Sequence, residues 1–232
     1  SLLLLTGFYF ANAQKTVVPK TTKNQHLVVF DQAMSSGDLG TAIVSLNYYI
    51  NEKGYNNVFA DTLAMLYMQQ GLYGQAFYWV EKRLTSNPND SSLMEMQGIC
   101  YDKMGKPKEA IDVFEKLFSK TKNPYHAYKL MELQYNIKRL NECLETAAVV
   151  EKMEFDKNAT ITYSFGEQLG RTYLRAGIYN IHALALYTLD RKDDAKKYFE
   201  KALELDGTFA LAKKNLEALS TAKPQENKNT GN

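Results

Sequence analysis

Residues Gly71 to Ala76 read GLYGQA, and residues 37–42 and 105–110 read GDLGTA and GKPKEA, with the same first and last residue types. The glycine and the alanine of these segments each recur after 34 residues. Related segments follow at 138–143, KRLNEC, and at 190–195, DRKDDA. A fixed period of this length is typical of a repeat architecture, in which each copy is one small structural unit.

Each copy has the features of two helices joined by a tight turn. Glycine can adopt the left-handed conformation that ends one helix, and Pro107 suits the first turn of the next. Apolar residues flank the turn at helical spacing, for example Leu63 and Leu66 before it, and Ile111 and Phe114 after it. A small residue in the second helix lets the two helices approach closely. These small residues are Ala42, Ala76, Ala110, Cys143 and Ala195.

The repeat resembles the tetratricopeptide repeat family over roughly residues 23–153 and 176–206. The residues that carry the resemblance are Tyr67, Tyr101, Gly71, Gly105, Ala76, Ala110, Ala195, Phe114, Phe199 and Ala202, with Pro88 at the end of a repeat. The sequence departs from the family pattern at Lys138 and Asp190, which replace the turn glycine, and at Leu46 and Ala147, which replace an aromatic residue. The resemblance implies an all-α fold, a right-handed α-solenoid of about five stacked antiparallel helix hairpins.

The sequence after the fourth copy departs from the period, because about 18 extra residues lie near 155–175. The segment Asn158 to Tyr163 is rich in residues that start helices poorly, whereas Phe165 to Ala176 could extend the next helix, so we expect a loop followed by a lengthened helix. The helical spacing of apolar residues from Thr208 to Ala218 predicts a capping helix for the solenoid. The solenoid is therefore expected to span 23–220, with a disordered polar tail at 221–232.

The first residues, SLLLLTGFYF, form an uncharged apolar run that Ala11-Asn12-Ala13 follows. This pattern predicts a signal peptide at residues 1–13, incomplete because no basic segment precedes it, and a flexible mature N-terminus at 14–22. A buried N-terminal helix is the alternative interpretation. The run is too short to span a bilayer, so we expect no membrane span in the mature chain. The protein is therefore expected to be exported, to the periplasm of a Gram-negative-type bacterium or beyond.

Composition and motifs argue against several function classes. The formal net charge is only +2, which disfavours nucleic acid as a partner. His26, His126 and His182 lie in different helix hairpins, and Cys100 and Cys143 are expected to be buried free thiols, so neither a metal site nor a disulfide is predicted. Because no nucleophile, metalloprotease or phosphate-binding motif occurs in the sequence, we expect no enzymatic activity and no cofactor.

The family resemblance implies a concave groove lined by the first helix of each repeat, which is the usual ligand surface of such solenoids. The corresponding positions in this sequence are Asp61, Met65, Met68, Glu95, Ile99, Asp102, Tyr128, Glu132, Tyr135, Asn180, Leu184 and Tyr187. Acidic, Met and Tyr side chains predominate, which suits an extended peptide or a helix with some positive charge. Packing of these side chains against neighbouring repeats is the alternative to direct partner contact.

These observations favour a non-catalytic protein–protein interaction scaffold of the cell envelope. Its partner would be an extended or helical segment of another protein, of unknown identity, bound in the groove. The alternative function is the binding of a glycan or small ligand in the envelope, with the insertion near Asn158 to Arg171 closing one end of the groove. The sequence leaves the oligomeric state open.

Overall fold

The computed structural model of the chain describes residues 24–221. Internal contacts divide it into two compact units, and the boundary lies between His126 and Ala127. We refer to residues 24–126 as the N-terminal unit and to residues 127–221 as the C-terminal unit. The predicted signal peptide, the mature N-terminus at 14–22 and the predicted tail beyond Thr221 lie outside the described residues.

The N-terminal unit consists of three antiparallel helix hairpins, in which α1 packs on α2, α3 on α4 and α5 on α6. Its helices are α1 (Gln25–Ser36), α2 (Leu39–Lys53), α3 (Val58–Gln69), α4 (Tyr73–Ser86), α5 (Ser91–Lys103) and α6 (Pro107–Thr121). Successive hairpins also stack, because α2 contacts α3 and α4 contacts α5. Helix α7 (Pro124–Asn136) begins at the end of this unit and continues into the next.

The C-terminal unit continues the helix hairpins and also contains two strands. Its elements after α7 are α8 (Leu140–Val150), β1 (Thr160–Phe165), β2 (Gln168–Tyr173), α9 (Leu174–Thr188), α10 (Lys192–Leu205) and α11 (Ala210–Thr221). Helix α9 packs on both α8 and α10, and α11 packs on α10. Helix α11 corresponds to the capping helix that the apolar spacing predicts. Within residues 24–221, none of the helices is both long and apolar enough to cross a bilayer.

The turns of the helix hairpins share one conformation. Gly37, Gly71 and Gly105 have φ angles of 75°, 73° and 75°, in the left-handed region, and Lys138 and Asp190 adopt the same region with φ angles of 66° and 60°. At each turn the next residue donates its backbone N–H to a carbonyl oxygen five positions back, as Leu72 does to Tyr67. This bond satisfies a carbonyl that the helix end leaves unpaired. Lys138 and Asp190 therefore replace the glycine without changing the conformation of the turn.

The core of each unit forms where the helices of a hairpin meet. The small residues predicted for close helix contact, Ala42, Ala76, Ala110, Cys143 and Ala195, are all fully buried. Cys100 and Cys143 are buried free thiols, as predicted. Gly98 of α5 is a further close contact, because a Cβ atom there would lie 2.7 Å from the Phe114 ring. Helix packing thus depends on small residues opposite large ones.

The insertion differs from the sequence prediction. The prediction of a loop followed by a lengthened helix is wrong: β1 and β2 form an antiparallel β-hairpin in which Thr160 pairs with Tyr173 and Phe165 with Gln168. Helix α9 begins only at Leu174. The physical reason is an alternation that suits a strand, since Ile161 and Tyr163 are buried while Thr160, Thr162 and Ser164 are partly exposed.

One face of the β-hairpin packs onto helices of the C-terminal unit. The Tyr163 ring meets Phe209 edge to face, with 4.8 Å between ring centroids, and its hydroxyl oxygen accepts a hydrogen bond from the Ala210 N–H at 3.2 Å. Gly177 of α9 leaves room for Ile161, with which a Cβ atom would collide. The β-hairpin is therefore fixed to the beginnings of α9 and α11.

Candidate protein-binding faces

The predicted groove residues differ widely in exposure. Met65 is exposed; Asp61, Glu95, Asp102, Tyr135, Leu184 and Tyr187 are partly buried; and Met68, Ile99, Tyr128, Glu132 and Asn180 are buried. Their positions on the first helices α3, α5, α7 and α9 agree with the repeat register. The register therefore locates the helices correctly, but the packing of each unit determines which side chains reach the surface.

Asp61 is held within the N-terminal unit by an ion pair. Arg83 of α4 is buried, and its Nε donates to the Asp61 carboxylate at 2.5 Å while its Nη1 donates to the Asn56 side-chain oxygen at 2.6 Å. The hydrogen bond to Asp61 raises the pKa of the Arg83 guanidinium, so Arg83 remains charged. A charge taken out of water needs such a partner. Asp61 thus joins α3 to α4.

Glu95 is engaged in a comparable contact. Its carboxylate lies 3.7 Å from Nε2 of the buried His126, and the other ring nitrogen of His126 lies 2.9 Å from the Thr121 hydroxyl. Both contacts lie inside the N-terminal unit. Glu95, like Asp61, is therefore engaged by a neighbouring side chain within the unit, which leaves fewer free carboxylates on this face than the residue types predict.

Two of the three groove positions on α7, Tyr128 and Glu132, are internal to the C-terminal unit, whereas Tyr135 is partly exposed. Tyr128 and Glu132 are buried, and Lys129 lies with its ammonium 3.7 Å from the Glu132 carboxylate. Burial, together with the Glu132 carboxylate, raises the pKa of Tyr128 well above its ordinary value. These side chains form a buried polar group instead of a surface.

The positions on α9 also pack inside the C-terminal unit. Asn180 accepts a hydrogen bond of 3.0 Å from the Asn215 side chain of α11. Leu184 and Tyr187 lie against the apolar cluster of Leu186, Phe199 and their neighbours. These contacts join α9 to α11 and to α10, so the side chains hold the helices of the unit together.

A polar cluster joins α8, α9 and α10 in the same unit. The Glu151 carboxylate contacts Nδ1 of His182 and accepts a hydrogen bond of 3.2 Å from the Tyr198 hydroxyl. Arg175 donates to the backbone oxygen of Glu151 at 3.2 Å and to that of Met153 at 2.9 Å. Burial, with Glu151 as the second cause, raises the pKa of Tyr198 to about 12. Among residues 24–221, His, Cys, Asp and Glu do not converge in a group of three that could hold a metal ion.

Exposed apolar side chains remain on the first helices α1 and α3 of the N-terminal unit. Met65 is 41% exposed and Met34 is 40% exposed. Asp31 and Met34 of α1 occupy the repeat positions of Met65 and Met68, one period earlier, and Asp31 is also exposed. We refer to Asp31, Met34 and Met65 as the first-helix face. The sequence prediction missed its two α1 residues, although extending the register by one repeat identifies them.

A second surface lies on α2 and α4, the second helices of the first two hairpins. An open cavity of about 540 Å³ separates α2 from α4. Its lining includes Asn47, Asn51, Gln75, Tyr78, Trp79 and Lys82, and we refer to these residues as the α2/α4 groove. Asn47 donates a hydrogen bond of 3.1 Å to the Tyr67 hydroxyl, which lies below the groove. The sequence prediction did not include this groove, because the family resemblance pointed only to first helices.

Comparisons with known proteins agree with this architecture. The sequence profile of the tetratricopeptide repeat matches residues 92–119 and 176–209. No curated protein sequence matches the chain.

Solved structures of low sequence identity share the fold. A crystal structure of the MamA protein is 19% identical, with a TM-score of 0.63, and the match covers 79% of this chain and 91% of that chain. YrrB, described as a tetratricopeptide repeat protein with an unusual peptide-binding site, is 15% identical, with a TM-score of 0.65 and coverage of 84% and 92%. A tetratricopeptide repeat protein from Parabacteroides merdae is 13% identical, with a TM-score of 0.65 and coverage of 84% and 71%. These comparisons, with the helix hairpins described above, show that residues 92–119 and 176–209 are tetratricopeptide repeats and that the chain has the fold of tetratricopeptide repeat proteins.

Proposed function

We propose that the protein is a non-catalytic interaction scaffold that binds an extended or helical segment of another protein. The support is architectural: helix hairpins of this family present side chains on successive first helices at a regular spacing, which suits an elongated ligand. YrrB, which shares the fold, has a peptide-binding site according to its description.

The first-helix face of the N-terminal unit is the proposed contact surface. The observation that carries this choice is the exposure of Met65 and of Met34, its neighbour in the repeat register, because every predicted groove residue except Met65 is partly or fully buried. Methionine is flexible and polarizable, so it adapts to irregular apolar partners. Asp31 adds an exposed negative charge. The expected ligand therefore combines apolar side chains with positive charge.

The cell envelope is the proposed location. The support is the sequence of residues 1–13, in which an apolar run precedes small residues at signal-peptidase spacing. Isolation of the protein from its native host and sequencing of its N-terminus tests this proposal. A mature chain that begins at Gln14 in the periplasmic or secreted fraction would support export, whereas a chain that retains residues 1–13 in the cytosol would contradict it.

Recovery of the partner from the native host tests the contact surface. We expect Met65→Lys to reduce the amount of co-purified partner about tenfold, since a lysine repels a positively charged ligand and removes the apolar contact. Leu205→Lys is the matched control, because Leu205 is also 41% exposed but lies on α10. Equal recovery with both variants, each with unchanged helicity, would exclude the first-helix face as the contact surface.

A further inference from the structure

We propose that the α2/α4 groove is a second binding site, specific for an acidic peptide segment in an extended conformation. The groove lies between second helices, whereas the first-helix face lies on α1 and α3. The two sites therefore involve different side chains, and the proposal does not depend on the function proposed above. The cavity volume of about 540 Å³ lies within the range of ligand sites.

Lys82 gives the groove its charge. Lys82 is the one charged residue among those that line the cavity in the described part of the chain. Its ammonium lies 4.6 Å from the Tyr78 ring centroid, 5.3 Å from that of Trp79 and 5.2 Å from that of Tyr55. Aromatic rings hold an ammonium by attraction to their π faces without neutralising it. The groove thus presents a positioned positive charge, which favours a carboxylate on the ligand.

Three side-chain amides accompany this charge. Asn47 and Asn51 project from α2 and Gln75 from α4, and all three line the cavity. The Asn47 nitrogen already donates to the Ile43 backbone oxygen at 2.9 Å and to the Tyr67 hydroxyl at 3.1 Å, so Asn47 offers only its oxygen as an acceptor. Asn51 and Gln75 are exposed, and a side-chain amide both donates and accepts hydrogen bonds, so these two can pair with the N–H and C=O groups of an extended backbone. Exposed aromatic residues commonly anchor peptides at interfaces, and Tyr78 is 52% exposed.

The surface one repeat later lacks this composition. At the positions of Asn47, Gln75 and Tyr78, 34 residues further on, the sequence has Glu81, Glu109 and Asp112. Lys82 alone keeps its residue type there, as Lys116. The repeat architecture does not itself require amide and aromatic residues at these positions. The absence of acidic side chains from the α2/α4 groove is therefore a local property, and it fits an acidic ligand.

An acidic peptide fits the groove better than a saccharide. Saccharides stack on the open faces of aromatic rings, but the Lys82 ammonium lies over the rings of Tyr78 and Trp79. On the face of each ring that it covers, the cation is placed where a sugar ring would stack. Lys82 is partly exposed, so a carboxylate of a ligand can pair with its ammonium.

A fluorescence titration of the full chain tests the proposal, because Trp79 is the single tryptophan of the sequence and lies in the groove. The probes are three synthetic peptides of equal length that alternate Thr with Glu, Gln or Lys. We expect the Glu peptide to change Trp79 emission saturably and the Gln peptide to bind at least about tenfold more weakly. The Lys peptide is expected to give no saturable change.

Variants at two equivalent positions provide the controls. Lys82→Gln is expected to weaken binding of the Glu peptide about tenfold, Lys82→Arg to keep it within about twofold, and Lys116→Gln to leave it unchanged. Equal affinity for the Glu and Gln peptides, an unaffected Lys82→Gln variant, or no response to any peptide would overturn the proposal. A saturable response to an oligogalacturonate without one to the Glu peptide would overturn it in favour of an acidic saccharide.

Discussion

Lys138 and Asp190 occupy a turn position that glycine fills in the first three helix hairpins. A side chain with a Cβ atom is strained in the left-handed region, by roughly 1–2 kcal/mol per residue. The turn itself is preserved, because Arg139 still donates its backbone N–H to the Gln134 carbonyl at 2.8 Å. The hydrogen-bonding pattern of the turn therefore outweighs the local strain.

We expect Lys138→Gly to stabilise the protein by about 1 kcal/mol, since relief of the strain exceeds the added freedom of the unfolded chain. Urea unfolding followed by circular dichroism measures the change. Gly71→Ala is the reciprocal control, and we expect it to destabilise by about the same amount. A loss of stability in Lys138→Gly would mean that its contact with the Tyr135 ring, 4.8 Å from the ammonium, matters more than the backbone.

The repeat register predicted the small core residues because each position recurs with the same neighbours. It could not predict the partner of Asp61. Arg83 stands at a position where the fifth repeat has the small residue Ala202, so the pattern gives no sign of a buried cation there. A repeat pattern shows only the residue types that the copies share. It therefore cannot predict an ion pair that depends on the individual side chains of one copy.

We expect Asp61→Asn to lower the free energy of unfolding by about 2 kcal/mol, because it leaves the buried Arg83 without its carboxylate partner. Thermal unfolding measures this effect. Met65→Ala provides the comparison, since Met65 is exposed and its loss is expected to change stability by less than about 0.5 kcal/mol. Unchanged stability in Asp61→Asn would show that the ion pair does not support the fold, and would leave Asp61 available to a ligand.

Among the elements of the fold, the β-hairpin formed by β1 and β2 is the one whose structure the sequence pattern did not predict. Sequence patterns located the insertion but not its structure, because the second half, QLGRTY, contains a glycine and few residues that favour strands. Its pairing comes from β1 and from packing on α9, where Gly177 allows close approach. Contacts between segments, and not local preference, thus select the strand conformation of β2.

We expect Tyr163→Ala to destabilise the C-terminal unit by about 3 kcal/mol, since it opens a cavity beside Phe209 and removes the acceptor of the Ala210 N–H. Chemical denaturation gives the magnitude. Leu169→Ala on β2 is the matched control, because Leu169 is 67% exposed and its removal creates no cavity. Similar effects of the two variants would contradict the proposed anchoring of the β-hairpin by Tyr163.

At the scale of the whole molecule, each unit contains one buried thiol. Cys100 lies in the N-terminal unit and Cys143 in the C-terminal unit, and burial raises the pKa of each to about 12. A raised pKa keeps the thiol protonated in the folded state, so the reactive thiolate becomes scarce until the pH approaches that value.

We expect the folded protein at about pH 8 to react with a thiol reagent about a thousandfold more slowly than the unfolded chain. Mass spectrometry of the labelled peptides distinguishes Cys100 from Cys143, so the reaction reports the opening of each unit separately. Cys100→Ser and Cys143→Ser confirm the assignment. Rapid labelling of either thiol under native conditions would show that its unit does not bury it.

Binding of a protein segment on the first-helix face is the central claim, and site-specific photo-crosslinking in the native host tests it most directly. A photoreactive amino acid is placed at Met34, at Met65 or, as the control, at Leu205, which have nearly equal exposure. The account predicts covalent adducts to the same protein segment, one that contains apolar and basic residues, from the first two positions and none from Leu205. Adducts from Leu205 alone, or the same adducts from all three positions, would contradict it.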